Sequence, residues 1–558
     1  MKRTGAQIVT TLLERQGIRV LSGIPGGANL PLYDALRESS IKHVLARHEQ
    51  GAGFIACGMA RASGRAAVCY GTSGPGATNL LTAIADAKLD SIPLVAITGQ
   101  VPQAVIGTDA FQEVDTYGLT LPITKHNFFV RSAAELLKVI PAAFTLAESG
   151  RPGPVVVDIP KDVQNQTVEF DAWPEPGGAP APQAADPADI ARLAEMIHEA
   201  KRPLLYIGGG IIASGASEDL IAFARKNSIP VVLTLSALGA FPPDDPLYLG
   251  MLGMHGARYT NYLLEEADLL LAFGSRFDDR ATGRAAEFCK HATIAHVDID
   301  RSEIGKIKSA NLGIAADVGE VLRALTPQIR EDLRVDWNSR VAELKQKHPF
   351  VWPDTDDPLN PLNFIRNLAE LCGPDTIVTT DVGQHQMWAA QAYPFRKPRT
   401  LQTSGGLGTM GFGMPAAIGA ALEKPDTPVV CISGDGSILM NIQELATLAE
   451  LNLNVKIFIM NNGHLGLVRQ QQELFYGERY IASRFDTSPD FAAIARGFHL
   501  EACDLADDPN PLETLRRVLA APGPCLINVP VHYAENVLPM VPPGAANRDM
   551  VGGELTHA

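Results

Sequence analysis

The sequence predicts an α/β protein of three doubly wound parallel-sheet domains. Short Val/Ile/Leu-rich runs alternate with longer helical patterns along the whole chain, and two Pro-rich stretches divide it into three blocks of similar size. A length of 558 residues allows three or four domains with well-buried cores. Continuous apolar runs, rather than strict alternation, suit strands covered by helices on both faces.

The first block, residues 1–165, opens Met1-Lys2-Arg3, but Glu14 and Arg15 interrupt any leader-like apolar stretch, so an amphipathic helix is expected. Its strands are AAVCYG (66–71), PLVAITG (93–99) and PVVVDIP (154–160). Across 166–187 Pro, Gly and Ala replace periodic hydrophobicity, the signature of an extended linker. The second block, 188–345, carries PLLYIGG (203–209), PVVLTL (230–235), LLLAFG (269–274) and AHVDID (295–300). Pro and Asp recur over 346–361. The third block, 360–545, carries TIVTTD (376–381), PVVCISG (428–434), VKIFIMNN (455–462) and CLINVPV (525–531).

Several function classes are excluded. Sixty-two acidic against 47 basic residues give a formal charge of −15, opposite to what binding a phosphate backbone favours, so no nucleic-acid partner is expected. No apolar run approaches the ~18 residues of a membrane span. Seven cysteines, none in a C-x-x-C pair, support neither a disulfide framework nor a zinc site, and a cytoplasmic location is expected.

In open α/β sheets ligands gather at the carboxyl ends of strands, so the polar residues directly after the apolar runs are the candidates. The run Pro428 to Ser433 leads into Gly434-Asp435-Gly436-Ser437; a helical stretch from Asn441 to Leu451 and a run from Val455 to Met460 then lead to Asn461-Asn462. A βαβ unit sets Asp435 and Asn462, 27 positions apart, side by side as a carboxylate and an amide oxygen, hard donors suited to Mg²⁺ with phosphate. The glycines let backbone N–H groups approach a diphosphate. Taken alone, Gly-Asp-Gly reads as a tight turn; the paired spacing argues for the ligand site.

Arg47-His48-Glu49-Gln50-Gly51-Ala52-Gly53 places an acid at the head of a stretch dense in small residues. Small residues allow close helix–helix approach, as at a subunit interface, and burial there would raise the carboxyl pKa and let Glu49 share a proton with a ring nitrogen. A Glu favoured at a helix N-terminus is the other reading. Two Gly-rich loops, Gly23 to Gly27 and Ser404 to Gly413, frame these elements. The second holds a formal G-x-G-x-x-G (Gly406, Gly408, Gly411), but RTLQTSGG before it is not a convincing strand, so only close backbone approach to a ligand is inferred.

Together these residues resemble the large subunit of the acetohydroxyacid synthase (acetolactate synthase) family of thiamine-diphosphate enzymes. GTDAFQEVDTYG (107–118), GRPGPVVVDIPKDV (150–163), LGMLGMHG (249–256), RFDDR (276–280), TSGGLGTMGFGMPAAIGAA (403–421) and PMVPPGAAN (539–547) carry the resemblance over nearly the whole chain. It implies a pyrimidine-binding domain, a central FAD domain and a diphosphate-binding domain, with cofactors thiamine diphosphate, Mg²⁺ and FAD. It implies that Glu49 bonds the pyrimidine nitrogen and promotes the imino tautomer that deprotonates the thiazolium, beside Gly26, Pro75 and Asn79. Gly408 and Met410 would hold the cofactor bent. Gln384, His385, Gly434 and Ser437 would surround the diphosphate, with Asp435, Asn462 and the His464 backbone on Mg²⁺.

The same resemblance implies that pyruvate is decarboxylated and joined to a second pyruvate or 2-oxobutyrate, the first common step of valine, leucine and isoleucine biosynthesis. Arg280 would pair with the acceptor carboxylate. Phe111, Gln112, Lys161, Met254 and Val382 would shape the pocket. Arg151, Gly208, Gly209, Gly210, Thr234, Leu235, Gly253, Met254, His255, Asp298, Ile299 and Asp317 would hold a structural flavin; turns and strand-end acids are their ordinary alternative. Where many members have Trp, this chain has Gln471, which implies a weak acceptor preference, similar to the isozyme I branch. A homodimer or homotetramer with the active site between subunits, and a small regulatory subunit, are implied partners. The rival reading is an FAD-dependent pyruvate oxidase, against which stand RFDDR, GTDAFQEVDTYG and a Pro/Gly-rich tail, Val541 to Ala558, in place of an amphipathic membrane-binding helix.

Overall fold

A computed structural model describes residues 1–554; the last four residues of the expected Pro/Gly-rich tail lie outside them. The apolar runs become strands because helices shield both faces, so β-branched side chains find partners above and below. In the first block these are β1 (Lys2–Thr4), β2 (Val20–Gly23), β3 (Lys42–Leu45), β4 (Ala67–Gly71), β5 (Leu94–Gln100), β6 (His126–Phe129), β7 (Pro154–Pro160) and β8 (Thr167–Glu169). Six of them form a parallel sheet in the order β3-β2-β4-β5-β7-β6. The stretch expected to run as an extended linker begins instead as a strand: β8 pairs antiparallel with β1, and Phe170 and Trp173, edge to face with each other, pack against the first core.

The second sheet comprises β9 (Pro203–Ile207), β10 (Val231–Leu233), β11 (Tyr248–Met251), β12 (Leu269–Phe273), β13 (Thr293–Asp298) and β14 (Leu312–Ala315). Its order, β11-β10-β9-β12-β13-β14, is the 3-2-1-4-5-6 arrangement of dinucleotide-binding sheets. The third comprises β15 (Ile377–Thr380), β16 (Leu401–Gln402), β17 (Val429–Gly434), β18 (Val455–Asn461), β19 (Glu501–Asp504) and β20 (Cys525–Pro530), ordered β16-β15-β17-β18-β20-β19. Counted from its own first strand, that is the order of the first sheet. In all three, succession reverses beside the first strand, which opens a crevice at the carboxyl ends of β2 and β4, of β9 and β12, and of β15 and β17.

The small-residue stretch after Glu49 forms the helix Glu49–Ser63, which meets a close partner within the same chain. It packs on the helix Gly413–Glu423 so tightly that a Cβ on Gly58 would lie 2.2 Å from the Ala416 carbonyl oxygen, and one on Gly419 2.0 Å from that of Ile55. One buried cluster therefore runs from Phe54 and Met59 through Phe412 and Ile418 to Ile457. Among the described residues, no helix is long and apolar enough to cross a membrane, and all seven cysteines are free thiols.

Candidate active site

The crevice between β15 and β17 gathers the residues expected around a diphosphate and a cation. Pairing of Gly434 with Met460 sets the ends of β17 and β18 side by side, so Asp435 and Asn462 project from neighbouring strand ends. The helix over this end starts at Glu444, three residues later than its periodicity suggested, because residues 435–438 already form a short helical turn. Asp435 is buried, burial pushes its carboxyl up to about 6, and its Oδ2 has no hydrogen-bond partner. His385 is buried too; burial pushes its imidazole down to about 3, and its Nε2 is likewise unpaired. Two buried polar atoms without protein partners thus meet at one strand-end crevice, a donor set that a bound cation and diphosphate would satisfy. Glycine is required here: a Cβ on Gly383 or Gly434 would lie 2.8 Å from the His385 ring.

Asn462 is oriented by its neighbours. Its Oδ1 accepts from the His464 N–H at 3.0 Å, and its Nδ2 donates to Gln384 Oε1 at 3.1 Å. Gln384 Nε2 donates to Gln470 Oε1 and to the Glu535 carbonyl, so both its hydrogens are used and only its backbone N–H, at the head of the helix Gln384–Ala392, is left for an anion. Ser437 Oγ donates to the Val382 carbonyl at 2.9 Å. Gly408, at φ 70°, adopts the left-handed region, and a Cβ there would meet only Val382, at 4.0 Å, in otherwise open space. Met410 follows half-buried on the same loop. The brief strand β16 precedes this loop, contrary to the reading of RTLQTSGG, but it is a two-residue edge strand and not the first strand of a dinucleotide unit.

Glu49 lies at the crevice between β2 and β4. It is buried, and its Oε2 accepts from Asn79 Nδ2 at 2.9 Å. Pro75 opens the helix Pro75–Leu89 that carries Asn79, and a Cβ on Gly26 would meet Thr72 at 2.6 Å, so backbone from β2 and β4 closes around the carboxylate. Gln112 sits against Gly74 at the same end, at φ 60°. Phe111, expected to line a pocket, is 89% exposed, and Lys161 heads a short helix after β7; neither meets the third-sheet residues within this chain. The helices Glu49–Ser63 and Pro75–Leu89 run side by side in one direction, with Glu49 on Asn79 at one end and Arg61 on Asp86 and Asp90 at the other. The Gly405 and Gly406 N–H groups dock on Asp90. Fifteen helical residues span about 22 Å, so Glu49 and the Gly405–Gly406 start of the loop lie at opposite ends of a helix pair, while Phe412 at the loop's other end packs on Phe54 nearer Glu49.

In the central domain, Gly208 and Gly210 pack against the Gly274 backbone at the β9/β12 crevice, and Gly209 faces Ser236. Thr234 and Leu235 follow β10, with the Thr234 N–H on the Ile207 carbonyl, and Ile299 follows Asp298 at the end of β13. Burial pushes Asp298 up to about 6, and Ser275 Oγ beside this crevice is unpaired. Two expected flavin residues have other partners. Asp317 caps the helix Val318–Leu325 through the Gly319 and Glu320 N–H groups, and Arg151 is held by Ser91, Asp300 and Glu303. His255 is buried against the Pro539 carbonyl, which leaves its imidazole pushed down to about 4 by burial.

Arg280 opens onto a cleft of about 230 Å³ with Met254 and the 541–544 segment; its Nη1 reaches Met254 Sδ at 3.5 Å, and the side chain is mostly exposed. Gly253 has a φ of 91°, and a Cβ there would lie 2.3 Å from the Arg280 carbonyl oxygen, a close approach only glycine permits. A strap links this cleft to the third sheet: the Glu535 carbonyl meets Gln384, the Leu538 carbonyl meets Gln391, and the Val541 N–H meets the Met254 carbonyl. The strap thus joins the Arg280 cleft to the Asp435 crevice. Sequence reasoning missed Glu444, fully buried, whose carboxylate accepts from the Arg47 and His48 N–H groups at 2.9 and 3.0 Å and so fixes the head of the Glu49 helix. The only sequence signal is an acid opening the otherwise apolar ELATLAEL. No such cue marks Gln470, whose role in holding Gln384 and Val537 emerges only from the fold.

Family models for the thiamine pyrophosphate enzymes match the chain three times: the N-terminal TPP binding domain over residues 3–119, the central domain over 190–325, and the C-terminal TPP binding domain over 381–529. The chain is 55% identical over 550 residues to the acetolactate synthase isozyme 1 large subunit of Escherichia coli K12, covering 98% of each. It is 47% identical to the acetolactate synthase large subunit of Parasynechococcus marenigrum, over 98% of this chain and 91% of that one. It is 46% identical to the chloroplastic acetolactate synthase 1 of Zea mays, over 98% and 89%.

Proposed function

Since the chain belongs to the acetolactate synthase large subunits, within the thiamine pyrophosphate enzymes, we propose that it decarboxylates pyruvate and joins the remaining two-carbon unit to a second pyruvate or 2-oxobutyrate, releasing CO₂. The observation that carries the site is the pair of unpartnered buried atoms, Asp435 Oδ2 and His385 Nε2, at the reversal point of a sheet whose strand ends are ringed by glycine. Thiamine diphosphate, when bound, supplies a carbon nucleophile and an electron sink for loss of CO₂. Asp435, the Asn462 amide and the His464 carbonyl would supply a hard oxygen set for Mg²⁺, and the Gln384 backbone N–H and Ser437 would hold the diphosphate.

Glu49 holds and returns a proton at a ring nitrogen, with Asn79 fixing the carboxylate. Gly408 and Met410 present backbone and side chain to the cofactor. Arg280, mostly exposed above its cleft, offers a forked guanidinium to the carboxylate of the acceptor acid. Phe111, Gln112 and Lys161 close the pocket from the partner subunit. That assignment is supported by the exposure of Phe111 and by the placement of Glu49 at the other end of its helix from Gly405 and Gly406. FAD in the central domain is supported by the 3-2-1-4-5-6 strand order and by the unpaired Ser275 Oγ at its crevice. A small regulatory subunit is a further proposed partner, by analogy with the "large subunit" relatives.

Product analysis with thiamine diphosphate, Mg²⁺, FAD and equal pyruvate and 2-oxobutyrate tests the reading. Acetolactate and acetohydroxybutyrate in comparable amounts are expected, since Gln471 offers no aromatic wall to favour the larger acceptor. Neither product, with acetate appearing on addition of a quinone, would favour the oxidase and remove Arg280 from the acceptor role.

A further inference from the structure

Behind the Gly-rich loop lies a buried ionic cluster that the catalytic reading does not use. Arg61 Nη2 bridges Asp86 Oδ2 and Asp90 Oδ2, each at 2.9 Å, with side-chain exposures of 11%, 0% and 5%. The guanidinium also lies 4.9 Å over the Phe412 ring. Both carboxylates face the loop. Asp90 accepts from the Gly405 N–H at 3.0 Å and the Gly406 N–H at 2.7 Å, while Asp86 accepts from Ser404 Oγ. Ser404 Oγ in turn accepts from the Thr409 N–H at 2.8 Å and closes the loop on itself. A Cβ on Gly406 would lie 2.9 Å from Asp90 Oδ1, so the fit leaves no slack.

Charged groups are buried at considerable cost unless each is paired and hydrogen-bonded. Here the cluster ties the first domain's helix ends to residues 404–406 of the third, immediately before the backbone turn at Gly408 and the side chain of Met410. We propose that Arg61, Asp86, Asp90 and Ser404 form a clamp that sets the Gly-rich loop in its cofactor-binding conformation before the cofactor arrives. They are positioning residues: none touches the reacting atoms, and their effect is to remove the ordering cost from binding. The inference rests on the proposed roles of Gly408 and Met410.

The test compares wild type, Asp90→Asn and Ser404→Ala by calorimetric titration with thiamine diphosphate in Mg²⁺, and by kcat at saturating cofactor. Asp90→Asn leaves one of two glycine N–H groups without its acceptor; Ser404→Ala leaves both ion pairs intact and guards against a variant that fails to fold. The clamp requires the cofactor Kd to rise about ten-fold in Asp90→Asn, the scale of one charge-assisted hydrogen bond, with kcat at saturation within about two-fold of wild type. Folded variants with an unchanged Kd, or with only a lower Tm, would overturn it. A wild-type chain that binds no thiamine diphosphate would overturn the site reading itself, and the clamp with it.

Discussion

Glu49 depends on one side-chain partner, Asn79, and on a helix head fixed by Glu444. Glu49→Gln keeps the size and removes the proton-accepting carboxylate, so pyruvate turnover should fall by about 10²–10⁴-fold with little change in Tm; unaltered turnover would remove Glu49 from the mechanism. A second residue-scale prediction concerns Asp158, buried in β7, where burial raises its carboxyl to about 7 despite hydrogen bonds from Thr98 Oγ1 and Gln100 Nε2. Between its unfolded value and about 7 the native state holds a proton that the unfolded chain has lost, so this group costs stability as pH rises through that window. Asp158→Asn stays neutral, and Thr98 can turn its hydroxyl to accept. Scanning calorimetry from pH 5 to pH 8 should show a smaller decline in Tm for the variant than for wild type; parallel curves would refute the assignment.

At the scale of elements, the Glu49–Ser63 and Gly413–Glu423 helices approach so closely that backbone, not side chain, fills the contact. Gly58→Ala sets a methyl into the Ala416 carbonyl and cannot be relieved by rotation. It should cost about 1–3 kcal/mol or more, read from the urea midpoint, and a midpoint equal to wild type would show that the helices can part. The strands legible in the sequence were the covered ones, β4, β5, β7, β9, β10, β12, β13, β15, β17, β18 and β20, whose Val/Ile/Leu runs report burial on both faces. Of those that escaped notice, β3, β6, β11, β14, β16 and β19 lie at sheet edges, where one side of the strand meets solvent and the apolar signal is diluted, whereas β2 is interior but only four residues long, VLSG, with too short an apolar run to stand out.

For the whole molecule, the proposed site draws on two copies of the chain. On the proposed reading, each Glu49 serves the third domain of another copy. Mixing Glu49→Gln chains with Asp435→Ala chains under conditions that allow subunit exchange should restore about one quarter of wild-type activity, because half the dimers are mixed and each mixed dimer has one intact site. No recovery despite demonstrated exchange would place the complete site within a single chain.

Local sequence sufficed for the three-fold α/β rhythm and for the Asp435–Asn462 pair, because both are properties of contiguous βαβ segments: burial writes itself into apolar runs, and adjacent parallel strands bring their ends together. The resemblance of long motifs named the remaining candidates. Packing between distant segments decided what the sequence left open. It turned the small-residue helix inward onto the third domain, assigned Asp317 to a helix cap and Arg151 to an ion-pair network, spent the Gln384 side chain on Gln470, and brought Glu444 to the head of the Glu49 helix across nearly 400 residues of chain. Such contacts depend on how whole sheets and helices stack, and no local period of hydrophobicity encodes that.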